Sequence, residues 1–342
     1  MNTSVFKGSA TAIITPMNMD GSISYKKMEE LLEYQISHHT NAIVVAGTTG
    51  ESACLSDEEH LRLIQFTCRI VNGRIPVIAG AGSNNTSHAQ LLCKNAQNAG
   101  ADALLLVTPY YNKCSQNGLI AHYQACAKVS DLPFILYNIP SRTGVNILPS
   151  TYEELLEIPN VTAVKEASGN FSQLAKITSR YRDRLDIYCG NDDQAVSALA
   201  LGAKGVISVL SNICPDAVSE LCCAYFNGDV TKSEQIQLHY EALLESLTSD
   251  INPVPVKTAM NMMGLSVGPC RLPLCPMDDF AAQQLKNCLK LYQTKIQEDH
   301  LDHPKFSSFL YNSSTFRNGT GCSGYGFNCF SYQLTSRHLP FL

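Results

Sequence analysis

One lysine stands where an apolar strand ends, and its amine has the chemistry of a nucleophile. Lys165 follows the apolar, β-favouring run 161–164. A charged lysine at the end of a buried strand is costly unless the charge is paired or the amine is neutral. A neutral amine attacks carbonyl groups and forms Schiff bases. The alternative is a solvated or ion-paired lysine, for which the neighbouring Glu166 is the obvious partner.

Residues that bind carboxylates or move protons follow other strand-like runs. The loop 47–52 carries Thr48 and Thr49 between two glycines, so its hydroxyl and N–H groups could hold a carboxylate. Tyr111 and Tyr137 follow or end two further runs, and a Tyr–Thr–Tyr chain could exchange a proton with water. Arg142 offers a planar guanidinium for a carboxylate. Each residue alone is more often a packing, turn or solvated residue, but together they indicate one site.

The elements that must bring these side chains together are eight strands alternating with helices. The strand-like runs are continuous rather than alternating in hydrophobicity, as is typical of strands buried on both faces. They are 10–15, 42–46, 76–79, 103–107, 133–137, 161–164, 186–189 and 205–209. This alternation predicts an α/β fold of the (β/α)₈ TIM-barrel type, in which the C-terminal strand ends form the active site. An open doubly wound sheet is the alternative, but no Gly-x-Gly-x-x-Gly follows the first strand.

Beyond the barrel the sequence predicts a C-terminal helical cluster. Helices are expected over 216–226, 233–247 and 280–296, and Ser56 with Glu59 predicts a capping box for an earlier helix. Prolines are expected to break the chain between the last two helices, at Pro253, Pro255, Pro269, Pro273 and Pro276. The predicted domains are a catalytic barrel at 1–211, helices at 212–298 and an atypical, poorly ordered tail at 299–342.

Composition excludes several classes of function. The chain has 342 residues, a formal net charge of −5 and scattered basic residues, which argues against nucleic-acid binding. It has no apolar run long enough to span a membrane and no signal-peptide pattern at its N-terminus. The 14 cysteines lack the spacing of zinc ligands. Reduced cysteines and a cytoplasmic location are the expectation.

Five segments together resemble those of dihydrodipicolinate synthases, which are Schiff-base-forming lyases of the class I pyruvate-dependent aldolase superfamily. The segments are 47–52, 109–112, 137–144, 164–167 and 252–257. The resemblance implies that the chain condenses pyruvate with L-aspartate 4-semialdehyde to give 4-hydroxy-tetrahydrodipicolinate. That reaction is the first committed step of the diaminopimelate pathway to lysine, and it needs no cofactor.

The resemblance also implies a role for each candidate residue. Lys165 would form the imine with pyruvate, and Tyr137, Thr48 and Tyr111 would relay protons. The tyrosine at the position of Tyr111 reaches in from a neighbouring subunit, which implies a homo-oligomer, with a tetramer as the family's preferred form. The substrate-binding residues implied are Thr49 for the pyruvate carboxylate, Arg142 for the semialdehyde carboxylate, and Gly190 and Ile207 lining the pyruvate pocket.

A lysine-feedback site is the last feature that the resemblance implies. Its matching residues here are Ser52, Ala53, His60, Asn84 and Tyr110. Asp57 stands where a histidine is common, and His88 stands where an acidic residue holds an ammonium group of the inhibitor. Losing that charge-assisted hydrogen bond removes about 1.5–3 kcal/mol, so weak or absent inhibition by lysine is expected.

Two other functions stay open at this point. One is a different aldolase of the same superfamily, an N-acetylneuraminate or 2-keto-3-deoxy sugar-acid lyase, which places no arginine at the position of Arg142. The other is a non-catalytic relative that binds a small keto acid. Retention of Lys165, Tyr137, Thr48 and Tyr111 together argues against the second.

Overall fold

Eight parallel strands close into a barrel in the order β1 to β8, each paired with its neighbours in sequence. The computed structural model describes residues 4–301 and the side chains of residues 4–292. Parallel pairing of β1 with β8 closes the ring. The strands are β1 Gly8–Ala12, β2 Ala42–Val45, β3 Val77–Gly80, β4 Ala103–Val107, β5 Phe134–Asn138, β6 Val161–Glu166, β7 Asp186–Cys189 and β8 Gly205–Ser208. The predicted TIM barrel is therefore confirmed.

Helices lie between the strands and continue after them. Their bounds are α1 Tyr25–Ser37, α2 Asp57–Val71, α3 Thr86–Asn98, α4 Gln116–Ala127, α5 Pro140–Thr143, α6 Tyr152–Leu155, α7 Phe171–Tyr181, α8 Ala195–Ala200, α9 Pro215–Phe226, α10 Val230–His239, α11 Glu241–Leu247, α12 Val254–Met262 and α13 Asp279–Leu301. Short 3₁₀ turns occur at Ser52–Cys54, Asp192–Gln194 and Leu210–Asn212. The capping box of α2 is confirmed, since Glu59 N donates to Ser56 Oγ and Ser56 N donates to Glu59 Oε2.

The barrel interior holds its own apolar cluster, separate from the core between strands and helices. Alternate residues of each strand point inward because the side-chain period of a strand is two. Ala163 in β6 and Ile135 in β5 are inward, and so are Lys165 and Tyr137 two residues further along. At the N-terminal end of the barrel, Phe6 stacks on Tyr188 with ring centroids 4.1 Å apart. The Tyr188 hydroxyl also donates to the Phe6 carbonyl, at 2.8 Å, so the two rings form a floor.

Two expectations for the C-terminal helices are wrong. The predicted helix 233–247 is interrupted at Tyr240, where the Tyr292 hydroxyl donates to the His239 carbonyl at 2.8 Å. That bond and the packing of Tyr240 on Tyr292, 5.3 Å between centroids, favour a turn over a continuous helix.

The second error concerns the prolines near residue 253. Pro253 and Pro255 do not break the chain but begin α12, because a proline in the first helical turn loses no hydrogen bond. The irregular stretch is 263–278, which contains the other three prolines.

The domain division stays a prediction. Met1–Gln293 form one compact unit, within which the barrel ends at β8 and α9 begins the helical part. The predicted tail lies outside the described residues from position 302 onward. No helix among the described residues is long and apolar enough to cross a membrane.

Candidate active site

Lys165 lies at the C-terminal end of the barrel with its amine inside the ring of strands. It is the penultimate residue of β6, it is 5% exposed, and it pairs in register with Tyr137 of β5. The Lys165 Nζ lies 4.4 Å from the centroid of the Tyr137 ring. An amine so placed is shielded from water by an aromatic face and has a phenol beside it for proton transfer.

Gly190 makes room for the lysine stem. It directly follows β7, and a Cβ atom at this position would lie 3.0 Å from Lys165 Cε and 2.6 Å from Ala167 Cβ. Only a residue without a side chain fits there while Lys165 stays in place. Ile207 of β8 is fully buried in the same interior cluster.

Glu166 is not the partner of Lys165, contrary to the simpler interpretation of the sequence. Successive residues of a strand point to opposite faces, so Glu166 faces outward from the barrel while Lys165 faces inward. The Glu166 carboxylate accepts from Asn138 Nδ2 at 3.0 Å, from Gln173 Nε2 at 3.3 Å and from Ser168 N at 2.8 Å. Amide donors therefore satisfy it without a cation.

Cys189 is the other nucleophilic side chain near this position, at the end of β7. Burial raises the pKa of its thiol to about 12. The thiol therefore stays protonated at neutral pH and is a poor nucleophile. Cys189 also pairs in register with the outward-facing Glu166, so of these two side chains only Lys165 faces the barrel interior.

Thr49 and Arg142, the two residues predicted to bind carboxylates, are joined through Asn252. Thr49 is 3% exposed, and its Oγ1 accepts a hydrogen bond from Asn252 Nδ2 at 3.0 Å. Arg142, in α5, donates from Nη2 to the carbonyl of the same Asn252 at 3.2 Å. Because Asn252 occupies a lone pair of the Thr49 oxygen, the Thr49 hydroxyl proton is free to point at a ligand.

Arg142 keeps most of its hydrogen-bonding capacity for a ligand. It is exposed, and no carboxylate of the described residues pairs with its guanidinium. Asn252 belongs to the segment 252–257 that carried the family resemblance, so the sequence contained the signal but not the contact.

The remaining relay residues are only partly assembled. Thr48 is half-buried in the loop after β2, beside Thr49. Tyr111 is 88% exposed and has a left-handed backbone with φ of 74°. It makes no hydrogen bond with Tyr137 or Thr48 in the described part of the chain, so one chain does not complete the predicted Tyr–Thr–Tyr relay.

The predicted inhibitor site has an internal histidine–carboxylate contact. His88 Nε2 lies 2.8 Å from Asp57 Oδ1, and His88 Nδ1 lies 3.2 Å from Ser83 Oγ. His60 is buried with Nε2 at 2.7 Å from the Gly80 carbonyl, and burial lowers the pKa of its imidazole. Ser52 and Ala53 form the nearby 3₁₀ turn, Asn84 accepts from Asn112 Nδ2 through its carbonyl, and Tyr110 is half-buried. The two departures from the family pattern, Asp57 and His88, therefore contact each other.

The described residues contain no group of three or more His, Cys, Asp or Glu that could hold a metal ion. The candidate residues described above carry an amine, hydroxyls and a guanidinium, a set suited to Schiff-base chemistry on a carboxylate-bearing ketone.

Comparison with known proteins agrees with the family resemblance of the sequence. The profile of the Dihydrodipicolinate synthetase family matches residues 5–292. The 4-hydroxy-tetrahydrodipicolinate synthase of Thermoanaerobacter sp. (strain X514) is 50% identical over 289 residues, which are 84% of this chain and 97% of that protein.

Solved structures agree. The 4-hydroxy-tetrahydrodipicolinate synthase from Methylacidiphilum fumariolicum SolV matches with a TM-score of 0.84 and 41% identity, covering 86% of this chain and 99% of that one. The chloride-inhibited dihydrodipicolinate synthase from Acinetobacter baumannii, solved in complex with pyruvate, matches with a TM-score of 0.81 and 43% identity. That match covers 83% of this chain and 98% of the other.

Proposed function

This chain belongs to the dihydrodipicolinate synthetase family, and from that premise we propose that it condenses pyruvate with L-aspartate 4-semialdehyde. The products are 4-hydroxy-tetrahydrodipicolinate and water, and the enzyme is a lyase of lysine biosynthesis. The observation that carries the proposal at the level of chemistry is the buried Lys165 amine against the Tyr137 ring, at the C-terminal end of the barrel.

Lys165 begins the reaction as the nucleophile. Its amine adds to the keto carbon of pyruvate, and loss of water leaves an imine. Removal of a proton from the pyruvate methyl group gives an enamine, whose carbon then forms a bond to the aldehyde carbon of the second substrate. The substrate's own amino group displaces Lys165 and closes the ring, which frees the enzyme. Tyr137 is the residue placed to carry protons in these steps.

Two side chains are proposed to hold the two carboxylates. Thr49 donates its hydroxyl proton to the pyruvate carboxylate, with Asn252 fixing the Thr49 oxygen. Arg142 binds the carboxylate of the semialdehyde in a bidentate manner. Gly190, which borders the Lys165 stem, and Ile207, which belongs to the interior cluster, line the pyruvate pocket in this proposal. A sugar-acid lyase is disfavoured, since the family match and the relatives' names agree on the synthase.

Borohydride trapping tests the central step. Reduction in the presence of pyruvate should attach one pyruvate-derived group to Lys165, identified by peptide mass spectrometry. Lys165→Arg keeps the charge but should abolish labelling. Absence of labelling in the wild-type enzyme would exclude Schiff-base catalysis by this residue.

We propose that a homo-oligomer completes the proton relay. Tyr111 is 88% exposed, so nearly all of its side chain is available for contact with a neighbouring subunit. Mixing the inactive variants Lys165→Arg and Tyr111→Phe under subunit exchange should restore activity, because hybrids contain some complete sites. If hybrids form but activity does not return, Tyr111 does not contribute to the site of a neighbouring subunit. A tetramer made of two such dimers is the form we propose.

A cytoplasmic location fits the thiols. Every cysteine among the described residues is free, and several are buried, which suits a reducing compartment. Fractionation that placed the protein in an oxidising compartment would contradict it.

A further inference from the structure

A lysine and a glutamate form a buried ion pair directly beneath the loop that carries Thr48 and Thr49. Lys257 Nζ lies 2.7 Å from Glu51 Oε1, and the two side chains are 2% and 0% exposed. The same ammonium group donates to the carbonyl oxygens of Thr15, at 3.0 Å, and Pro269, at 2.6 Å. Burying both charges is costly, and such a pair stabilises a fold little more than apolar residues would. Stability alone therefore does not explain its presence.

Glu51 holds an unusual backbone conformation at the end of this loop. Its φ is 58°, in the left-handed region that is unfavourable for a residue with a Cβ atom. Both carboxylate oxygens are held, Oε1 by Lys257 and Oε2 by the backbone N–H of Arg271 at 2.8 Å. The Glu51 N–H donates in turn to the Thr48 carbonyl at 3.1 Å. The fixed side chain of Glu51 thus sets the turn that presents Thr48 and Thr49.

Other contacts from the same parts of the chain hold the loop from a second side. The Thr15 hydroxyl donates to the Gly50 carbonyl at 2.6 Å, while the Thr15 carbonyl accepts from Lys257. Asn252, five residues before Lys257, contacts Thr49. The segment that enters α12 therefore contacts the loop at two points, one through an amide and one through a buried charge.

We propose that Lys257 and Glu51 are positioning residues that hold the Thr48–Thr49 loop in the geometry that receives the pyruvate carboxylate. Neither residue contacts the substrate. The pair acts by fixing the Glu51 side chain, and through it the turn, before pyruvate arrives. This inference rests on the proposed function.

Glu51→Gln is the sharpest test because it removes the charge and keeps the size. The loop then loses a charged anchor, and we expect KM for pyruvate to rise about 10-fold while kcat changes less than about threefold. KM for the semialdehyde should change less, since Arg142 contacts the Asn252 backbone carbonyl and neither Glu51 nor Lys257. Lys257→Met should raise KM for pyruvate at least as much, because it leaves Glu51 buried without its cation.

Glu33→Gln is the matched control. It makes the same chemical change in an exposed ion pair with Arg74, and in the described part of the chain neither residue hydrogen-bonds to the loop, to Lys257 or to Arg271. This variant should lower the melting temperature slightly without changing KM for pyruvate. In Glu51→Gln/Lys257→Met no charge is left unpaired, so the melting temperature should recover while the raised KM persists.

The outcomes separate positioning from a merely structural role. If Glu51→Gln changes KM for pyruvate no more than Glu33→Gln does, the inference is overturned. If Lys257→Met does not fold, Glu51→Gln alone tests the inference. In Glu51→Gln the Lys257 ammonium group keeps its two carbonyl acceptors. If the wild-type enzyme is not labelled by borohydride with pyruvate, the proposed function fails. Labelled wild type with an unchanged KM in Glu51→Gln overturns only the inference.

Discussion

Adding one methyl group at Gly190 should disturb Lys165 directly. The new Cβ would lie 3.0 Å from Lys165 Cε and 2.6 Å from Ala167 Cβ. Carbon atoms that are not bonded prefer about 3.5–4.0 Å, so Lys165 must retreat by about 0.5–1 Å and Ala167 by about 1 Å or more. A displacement of this size should lower kcat about 10- to 100-fold. Overpacking at the same position should destabilise the fold by about 1–3 kcal/mol.

Ala167→Gly separates the contact with Lys165 from the contact with Ala167. The effect on turnover would be measured as kcat at saturating pyruvate, and the effect on stability by denaturant unfolding. Alone, Ala167→Gly should leave kcat near the wild-type value. Gly190→Ala/Ala167→Gly should regain much of the lost stability, because the closest contact is gone. It should keep the low kcat and slow borohydride trapping, because the contact with Lys165 remains. Wild-type kcat in the double variant would refute the assignment of the rate loss to Lys165.

Three further predictions follow from particular contacts. Asn252→Ala removes the donor to Thr49 but keeps the backbone carbonyl that Arg142 contacts. KM should therefore rise about 2- to 10-fold for pyruvate and stay unchanged for the semialdehyde. An equal rise for both substrates would contradict this prediction. Burial lowers the pKa of the His122 imidazole from 6.5 to about 4. As pH falls from 6.5 to about 4, His122 is protonated in the unfolded chain but not in the folded one, so the folded state loses stability. Between pH 7 and pH 5, the free energy of unfolding should therefore fall by about 2 kcal/mol less in His122→Asn than in the wild type, as measured by denaturant unfolding. Equal losses in the two proteins would contradict this prediction. Lysine should inhibit the wild-type enzyme weakly, whereas Asp57→His/His88→Glu should be inhibited more strongly in the same titration; micromolar inhibition of the wild type would show the opposite.

The barrel could be predicted because its strands are buried on both faces. Runs such as 103–107 and 133–137 are apolar at every position, as strands covered on both faces are. Eight such runs without a Gly-x-Gly-x-x-Gly after the first favoured a closed barrel over an open doubly wound sheet. The C-terminal helices were less predictable. The break at Tyr240 depends on Tyr292, a residue far along the chain, and the start of α12 depends on where Pro253 and Pro255 fall within a turn.

The site divides in the same way. Lys165, Tyr137 and Gly190 could be predicted to meet because each ends or follows a parallel strand, and parallel strand ends share one rim. The contacts of Asn252 with Thr49, and of Lys257 with Glu51, join residues about 200 positions apart. No local pattern contains such a contact. The resemblance singled out the segment 252–257, and the structure supplied what that segment touches.

The floor made by Phe6 and Tyr188 bears on the order in which the two substrates bind. Because these rings close the N-terminal end of the barrel interior, we expect substrates to approach Lys165 from the C-terminal end, where Arg142 is exposed. If Lys165 forms the imine as proposed, pyruvate must bind and release water before the semialdehyde binds next to it. Excess semialdehyde is then expected to compete with pyruvate for entry to the free enzyme.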